Sequence, residues 1–170
     1  MSNWCENDLI IQGNQVDIDK FLSDFKMTRD DIEVFFDFNL IDPYPLEFAE
    51  KDKVFKEWYE AQGKEFISAE RPEDGYSTGG KDWLVKNWGT KSNGEDCTLE
   101  VSNDSEVILH FITAWSPPTP LVRKLSLKYP NLTFSLNYFE GGMQFSGSHV
   151  VAKGTVILDT SCDYFGPRGG

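Results

Sequence analysis

The sequence is poor in cysteine and has no long run of apolar residues. Its three cysteines, Cys5, Cys97 and Cys162, are odd in number and far apart, which fits free thiols in a reducing compartment better than a disulfide framework. No segment approaches the ~18 uninterrupted apolar residues of a membrane-spanning helix, and the first residues include no basic leader-like stretch. We therefore expect an intracellular protein that does not insert into a membrane.

Catalytic and metal-binding motifs are also lacking. Of the two histidines, His110 shares a predicted strand face with Ile108 and Ile112 and is expected in the core, whereas His149 is expected to be exposed. The sequence contains no CxxC or HxxxH pair of the kind that binds zinc, and none of its glycine groups matches a phosphate-binding loop. The sequence therefore predicts no catalytic residue, no metal and no cofactor.

Positive charge is scarce in the first half of the chain. Residues 1–85 contain 20 Asp and Glu against 9 Lys and Arg, whereas residues 86–170 contain 8 against 7, so the formal charge of −12 divides as −11 and −1. A surface of one sign attracts basic surfaces and repels the phosphate backbone of nucleic acids. We expect a positively charged partner and no direct binding of nucleic acid.

What the chain does contain is enough apolar residues for a packed core. Hydrophobic residues make up 39% and aromatic residues 14% of its 170 residues, which suits one domain. Apolar alternation with period two predicts strands, and apolar spacing of three and four predicts helices. The predicted strands are residues 7–13, 34–41, 97–101, 106–115, 132–138, 143–151 and 155–158, and the predicted helices are residues 16–26, 46–62, 81–87 and 121–128.

The order of these elements predicts an α+β fold. The simplest architecture is a ferredoxin-like sandwich, with a mainly antiparallel sheet and helices packed on one side. We expect a single domain over residues 1–158, with a helical insertion at about 43–90 and a flexible C-terminal tail at 159–170. Residues 71–80, rich in glycine and small polar groups, are predicted to form a mobile loop.

Five segments of the sequence together resemble a known family. They are Asn3-Trp4-Cys5-Glu6-Asn7, Asn87-Trp88-Gly89-Thr90-Lys91, Thr113-Ala114-Trp115-Ser116-Pro117-Pro118, Tyr129-Pro130-Asn131-Leu132-Thr133-Phe134 and Tyr138-Phe139-Glu140-Gly141-Gly142. In this order they make the chain similar to the YubB-type, Api-like family of phage- and plasmid-borne proteins. The resemblance implies a ferredoxin-like C-terminal domain, an origin in a mobile genetic element and a place in the cytoplasm of a bacterial host. It implies no activity and no catalytic residue.

The preferred functional hypothesis is a non-enzymatic inhibitor that imitates nucleic acid. An acidic surface would occupy the Lys and Arg groups with which a host defence protein holds DNA or RNA. The residues expected to bind this partner are Asp30, Asp31, Glu33, Asp37, Asp42, Glu47, Glu50, Glu57 and Glu60. The alternative is that the charge only keeps the protein soluble.

A second hypothesis is a small-ligand or nucleotide-binding protein or enzyme. Its pocket would lie beside the Trp88–Lys91 loop and be lined by Trp88, Thr90, Lys91 and His110. Trp88 suits either the core or an exposed contact, and Trp115, at the end of a strand, is expected in the core. A third hypothesis is a homo-oligomer that forms through exposed strand edges.

Overall fold

The structure, a computed structural model, describes residues 3–62 and 71–166. The strands are β1 (Trp4–Gln12), β2 (Glu95–Asn103), β3 (Glu106–Ala114), β4 (Thr133–Glu140), β5 (Phe145–Ala152) and β6 (Thr155–Asp163). The α-helices are α1 (Gln15–Asp24), α2 (Leu46–Gln62), α3 (Lys81–Asn87) and α4 (Thr119–Lys128). A 3₁₀ helix at Phe38–Leu40 and an irregular turn at Tyr76–Gly80 lie between them.

All six strands form one sheet in the order β2-β3-β1-β4-β5-β6, and every neighbouring pair is antiparallel. The central strand β1 pairs on both sides, since Leu9 lies opposite Leu109 of β3 and Leu136 of β4. These three leucines are buried on the same face of the sheet. The strands β2 and β6 form the two edges.

Helices α1 and α4 cover the face of the sheet that carries these leucines. Helix α1 begins after Asn14, whose side chain accepts a hydrogen bond from Asp17 N at 2.9 Å and caps the helix. Its apolar stripe places the ring of Phe21 6.1 Å from Phe134 of β4 and 5.2 Å from Tyr129 at the end of α4. The predicted α+β fold, with helices on one side of a mainly antiparallel sheet, is therefore confirmed.

The strand predicted at residues 34–41 is wrong. Just before this segment, Glu33 makes an isolated bridge with Thr98 of β2, and the segment itself turns into the 3₁₀ helix. Asp37 starts that turn, because its Oδ1 accepts a hydrogen bond from Asn39 N at 3.0 Å. Such a local bond competes with strand pairing. The apolar alternation of the segment therefore serves burial against the core instead of pairing in the sheet.

Helices α2 and α3 form a helical insertion between α1 and β2. Within the predicted loop at residues 71–80, Tyr76–Gly80 forms an irregular turn that leads into α3 and has non-helical backbone at Thr78 and Gly79. Asp52 of α2 holds the turn in place, because its carboxylate accepts hydrogen bonds from Tyr76 N at 2.8 Å and from the Tyr44 hydroxyl at 3.1 Å. The turn is therefore stabilised by contacts from outside its own sequence.

The last strand extends beyond the predicted boundary at residue 158. Residues 159–163 belong to β6, where Thr160 pairs with Ser148 of β5, so their assignment to a tail is wrong. Every residue of β6 is exposed, so neither face of the strand has to be apolar. Its sequence therefore lacks the apolar alternation by which a strand is recognised. The rest of the predicted tail from residue 167 lies outside the described residues. Among the described helices, none has the length and apolar character needed to cross a membrane.

Candidate functional site

The face of the sheet opposite α1 and α4 is the candidate functional surface, and we call it the open face. No helix of the described residues packs on it. Side chains alternate between the two faces of a strand. The open face carries Glu6, Asp8, Ile10 and Gln12 of β1, Glu95, Thr98 and Glu100 of β2, Glu106, Ile108, His110 and Ile112 of β3, Ser135, Asn137 and Phe139 of β4, Ser146, Ser148 and Val150 of β5, and Leu158, Thr160 and Cys162 of β6.

The open face is acidic. None of the six described strands contains a lysine or an arginine. The carboxylates of Glu6, Asp8, Glu95, Glu100 and Glu106 belong to this face. The basic residues of the described ranges lie on helices and connecting segments instead. Within the six described strands, the carboxylates therefore have no lysine or arginine beside them that would neutralise their charge.

His110 lies between two of the carboxylates, so its expected place in the core is wrong. Its Nδ1 is 2.6 Å from Asp8 Oδ1, and its Nε2 is 3.3 Å from Glu100 Oε2. Partial burial disfavours the charged imidazole, but the hydrogen bonds and charges of Asp8 and Glu100 outweigh this effect and raise the pKa of His110. The prediction failed because Ile108 and Ile112, taken as core residues, also lie on the open face.

A row of apolar side chains crosses the open face. Ile10 pairs with Ile108, Val150 pairs with Leu158, and Ser135 lies between the two pairs. Leu158 at the edge of the row is 44% exposed. An apolar row bordered by charged side chains has the composition of a protein-protein interface, in which a desolvated centre is surrounded by a polar rim.

A groove of about 420 Å³ lies on the open face across β1, β4, β5 and β6. Two neighbouring rows of paired residues line it, the first with Glu6, Phe139, Ser146 and Cys162 and the second with Asp8, Asn137, Ser148 and Thr160. The charged side chains among its described lining residues are carboxylates. The groove is therefore suited to a group that carries positive charge.

An aromatic pair forms one wall of the groove. The rings of Phe139 and Tyr164 are stacked, with centroids 4.7 Å apart and planes inclined by 21°. Tyr164 is held by its backbone N–H, which donates to Gln144 O at 2.9 Å. In the second row, the Ser148 hydroxyl donates to Asn137 Oδ1 at 2.7 Å. The groove thus combines carboxylates, hydroxyl and amide groups, and an aromatic surface.

The acidic residues predicted to bind a partner lie on other segments. Asp30, Asp31 and Glu33 are exposed in the segment after α1, and Glu47 and Glu50 are exposed on α2. These five carboxylates are accessible to a partner. Glu33 pairs with Thr98 of β2 and therefore lies at the border of the open face, whereas the other four belong to no strand of the sheet.

Two other members of the predicted acidic set make bonds inside the protein. Asp37 accepts hydrogen bonds from Asn39 and from Asn93 Nδ2, and these bonds lower its pKa although partial burial acts in the opposite direction. Asp42 accepts a hydrogen bond from Lys124 Nζ of α4 and forms an ion pair with it. Both carboxylates therefore have structural partners.

The remaining members of the set, Glu57 and Glu60, lie beside lysines of the same helix. The Lys53–Glu57 and Lys56–Glu60 pairs each have an N–O distance of 3.9 Å and are highly exposed. Such pairs contribute little to stability, but they place positive charge next to the carboxylates. Helix α2 therefore presents mixed charge instead of a continuous acidic surface.

The four residues predicted to line a ligand pocket are not brought together. Trp88 is 4% exposed and packs edge-on against Phe38, with ring centroids 5.5 Å apart. Thr90 is buried, and its hydroxyl donates to Ala114 O at 2.9 Å. His110 lies on the opposite face of the sheet from this core cluster. Trp88 is therefore a core residue.

The fourth predicted pocket residue, Lys91, contacts Trp115 instead. Lys91 Nζ lies 3.6 Å from the centroid of the indole ring, a cation-π contact. Trp115 is 46% exposed, so its expected place in the core is wrong. Its φ of +76° lies in the left-handed region after the end of β3, and its backbone N–H donates to Asn3 O at 3.0 Å.

His149 was expected to be exposed, and this prediction is wrong. The residue pairs with Leu136 on the buried face of the sheet, because β5 continues through this position. Its Nδ1 is 3.2 Å from Asp159 Oδ1 of β6. No three histidine, cysteine or acidic side chains in the described ranges are placed to hold a metal ion together.

Sequence reasoning missed the open face as a site. The available signal was that every segment with strand-like alternation lacks lysine and arginine. Comparing the two halves of the chain concealed it, because Glu6 and Asp8 come from the first half and Glu100 and Glu106 from the second.

The C-terminal part of the chain matches a known domain family. Residues 87–165 match the family model described as the ferredoxin-like domain in Api92-like protein. This range contains β2, β3, α4, β4, β5 and β6, and therefore most of the sheet. The resemblance seen in the sequence motifs is confirmed at the level of this Api92-like domain.

A solved structure extends the similarity to the whole fold. The crystal structure of protein api92 from Yersinia pseudotuberculosis aligns with a TM-score of 0.59 and 12% sequence identity, over 99% of this chain and 100% of that chain. At this identity the alignment establishes a shared fold and nothing about activity. No curated protein matches this chain.

Proposed function

We propose that this protein is a non-enzymatic interaction module that binds a positively charged protein surface through its open face. Following the sequence resemblance, the proposed source is a mobile genetic element, and the proposed partner is a nucleic-acid-binding defence protein in the cytoplasm of a bacterial host. Binding inhibits the partner because the carboxylates of this protein occupy its sites for nucleic acid. The observation that carries the proposal is the absence of lysine and arginine from all six described strands.

Charge on the open face supports attraction to a basic surface. Asp8 and Glu100 lie on either side of His110, and their side chains are 56% and 60% exposed. Their charges therefore produce a negative electrostatic potential at the surface of the open face. Side chains of one sign on one face reinforce each other's potential, which raises the rate of encounter with an oppositely charged partner.

The apolar row supports binding of a protein as opposed to a free cation. Ile10, Ile108, Val150 and Leu158 offer apolar area in the centre of the acidic face. Burying apolar area contributes about 25 cal/mol per Å², whereas exposed charge pairs contribute little on their own. The row would provide affinity, and the carboxylates would select a basic partner.

The test is capture of partners by the tagged protein from a nuclease-treated bacterial lysate at low and high salt. The proposal predicts a basic nucleic-acid-binding protein that is lost at high salt, since the Debye length falls from ~10 Å at 0.1 M to ~3 Å at 1 M. A double-stranded DNA or an RNA oligonucleotide should displace the captured protein, because both ligands would compete for the same Lys and Arg groups.

Matched variants assign the binding to a surface. The open-face variant combines Glu6→Gln, Asp8→Asn and Glu100→Gln, and the control removes the same charge with Asp30→Asn, Glu47→Gln and Glu50→Gln. Capture should fall at least about tenfold for the first variant and stay within about twofold for the second. The reverse pattern would place the interface on the predicted acidic set instead. A captured partner that is neutral, acidic or not displaced by oligonucleotides would contradict the proposed function.

A further inference from the structure

We infer that the groove on the open face binds an arginine side chain. The groove is the one lined by the Glu6 row and the Asp8 row and walled by Phe139 and Tyr164. The source of the arginine is the basic partner protein, and in this respect the inference rests on the proposed function. The chemistry of the groove can be tested without that partner.

The carboxylates of the groove supply the charge that a guanidinium needs. Glu6 and Asp8 lie two residues apart on the same face of β1, so their side chains leave the strand about 7 Å apart. Within the described residues, no hydrogen bond or ion pair engages the carboxylate of Glu6, and Asp8 uses one oxygen for His110. Charge-assisted hydrogen bonds to arginine are among the strongest that such carboxylates can form.

The floor of the groove adds neutral acceptors. Asn137 Oδ1 already accepts from Ser148, and the Thr160 hydroxyl donates to Ser148 O at 3.4 Å. Hydroxyl oxygens keep a lone pair when they donate, so Ser148 and Thr160 can still accept a further hydrogen bond. A guanidinium has five N–H donors and no acceptor, which matches a site rich in acceptors.

The aromatic wall favours arginine over lysine. Phe139 and Tyr164 stack face to face with planes inclined by 21°, so the outer face of a ring is the flat surface that a ligand can contact. A planar guanidinium stacks on such a surface while its edge makes hydrogen bonds, whereas an ammonium is a compact and more strongly hydrated charge. An anionic group is disfavoured, because the charged lining among the described residues is acidic.

The experiment is an NMR titration of the isotopically labelled full-length protein with three capped tripeptides, Gly-Arg-Gly, Gly-Lys-Gly and Gly-citrulline-Gly. Citrulline has the shape of arginine without its charge. The arginine peptide should shift the amide signals of Glu6, Phe139, Ser148 and Thr160 with a dissociation constant of about 1 mM, a value typical of weak binding by a small ligand. The lysine peptide should bind more weakly, and citrulline should leave these signals unchanged.

Variants of exposed residues separate the groove from the rest of the surface. Glu6→Gln should weaken the arginine peptide about tenfold, because it removes a charged hydrogen-bond acceptor. Glu47→Gln, which removes an exposed carboxylate from α2, should leave the binding unchanged. Spectra of the free variants that match the wild type outside the substituted region show that both remain folded.

Three results would overturn the inference: absence of shifts in the groove, equal shifts with citrulline, or lysine binding as tightly as arginine. If the arginine peptide does not bind in the groove but the open face still captures a basic partner, the inference about the groove is wrong and the proposed function stands. Specific arginine binding without capture of a basic nucleic-acid-binding protein would support the groove and count against the proposed function.

Discussion

His110 of β3 and Asp8 of β1 face each other across the open face, with 2.6 Å between Nδ1 and Oδ1. The pairing raises the pKa of His110, because hydrogen bonds and charges from Asp8 and Glu100 outweigh the effect of partial burial. At a pH below this raised value, the imidazolium neutralises part of the charge that we propose for partner binding. The acidity of the open face therefore depends on pH.

We predict that Asp8→Asn lowers the pKa of His110 and that Glu100→Gln lowers it less, since the second contact is longer, at 3.3 Å. Titration of the imidazole C–H signals by NMR measures both shifts. Glu47→Gln should leave the titration unchanged, because this residue lies on α2. A His110 pKa that Asp8→Asn does not change would show that the carboxylate is not its partner in solution.

The same pair has a defined effect on stability. Because the pKa of His110 is higher in the folded than in the unfolded protein, its stabilising contribution is complete below the unfolded value of about 6.5 and is lost as pH rises through the folded value. The contribution should be less than about 1 kcal/mol, since the His110 side chain is 39% exposed. Urea unfolding of wild type and Asp8→Asn across this pH range measures it.

The ion pair between Asp42 and Lys124 should contribute to stability instead of partner binding. The two side chains are 23% and 37% exposed, so a double-mutant cycle with Asp42→Asn and Lys124→Met should give a coupling free energy of about 1 kcal/mol. Glu47→Gln should change the free energy of unfolding by less than about 0.5 kcal/mol. Loss of partner capture by Asp42→Asn with unchanged stability would reverse this assignment.

Trp88 should be required for stability because it fills the core. Trp88→Ala should lower the free energy of unfolding by about 3–5 kcal/mol, a typical cost for a large buried aromatic residue. Trp88→Phe should cost less, although it removes the hydrogen bond from Nε1 to Asp42 O at 2.8 Å. Exposed Trp115→Ala serves as the control and should cost about 1 kcal/mol or less. Comparable losses for Trp88→Ala and Trp115→Ala would contradict this view of the core.

The three cysteines should differ in reactivity. Burial, together with the charges of Glu140 and Glu6, raises the pKa of Cys5 to about 12, and burial also raises the pKa of Cys97. Cys162 is exposed beside the groove. Native protein should therefore react quickly with the uncharged reagent N-ethylmaleimide at Cys162 and react at the other two thiols on unfolding.

Charged thiol reagents would also report on the groove. A cationic methanethiosulfonate should react with Cys162 faster than an anionic one, relative to their rates with a free thiol, because Glu6 and Asp8 lie along the same groove. Cys162→Ser should abolish the fast phase. Equal relative rates for the two reagents would contradict a negative potential in the groove.

Much of the fold was predictable because its signals are local. The run of Leu9, Ile10 and Ile11 indicates a strand, and the spacing of Ile18, Phe21 and Leu22 gives α1 its apolar stripe. In both cases the side chains that pack are close in sequence, so their periodicity can be read directly. Helix α2 and the strands β2 and β3 were predicted on the same basis.

Errors arose where a local bond or a distant neighbour decides the structure. The segment around Asp37 alternates like a strand, but hydrogen bonds from Asn39 and from distant Asn93 turn it into a 3₁₀ helix. The four residues of the predicted ligand pocket lie apart for a related reason. Trp88 and His110 each have an apolar ring and a polar N–H group, so only packing decides on which side of the sheet they lie. Periodicity gives alternation along a strand, but it does not state which face the helices will cover.

The sequence by itself determined the α+β class, the net negative charge and the lack of lysine and arginine in every strand segment. Only the tertiary structure decided that Asp8, Glu100 and Glu106 share one uncovered face and that Asp42 is engaged by Lys124. The physical reason is that composition and periodicity are properties of neighbouring residues, whereas the strand order β2-β3-β1-β4-β5-β6 and the packing of α1 and α4 on one face follow from contacts between distant residues.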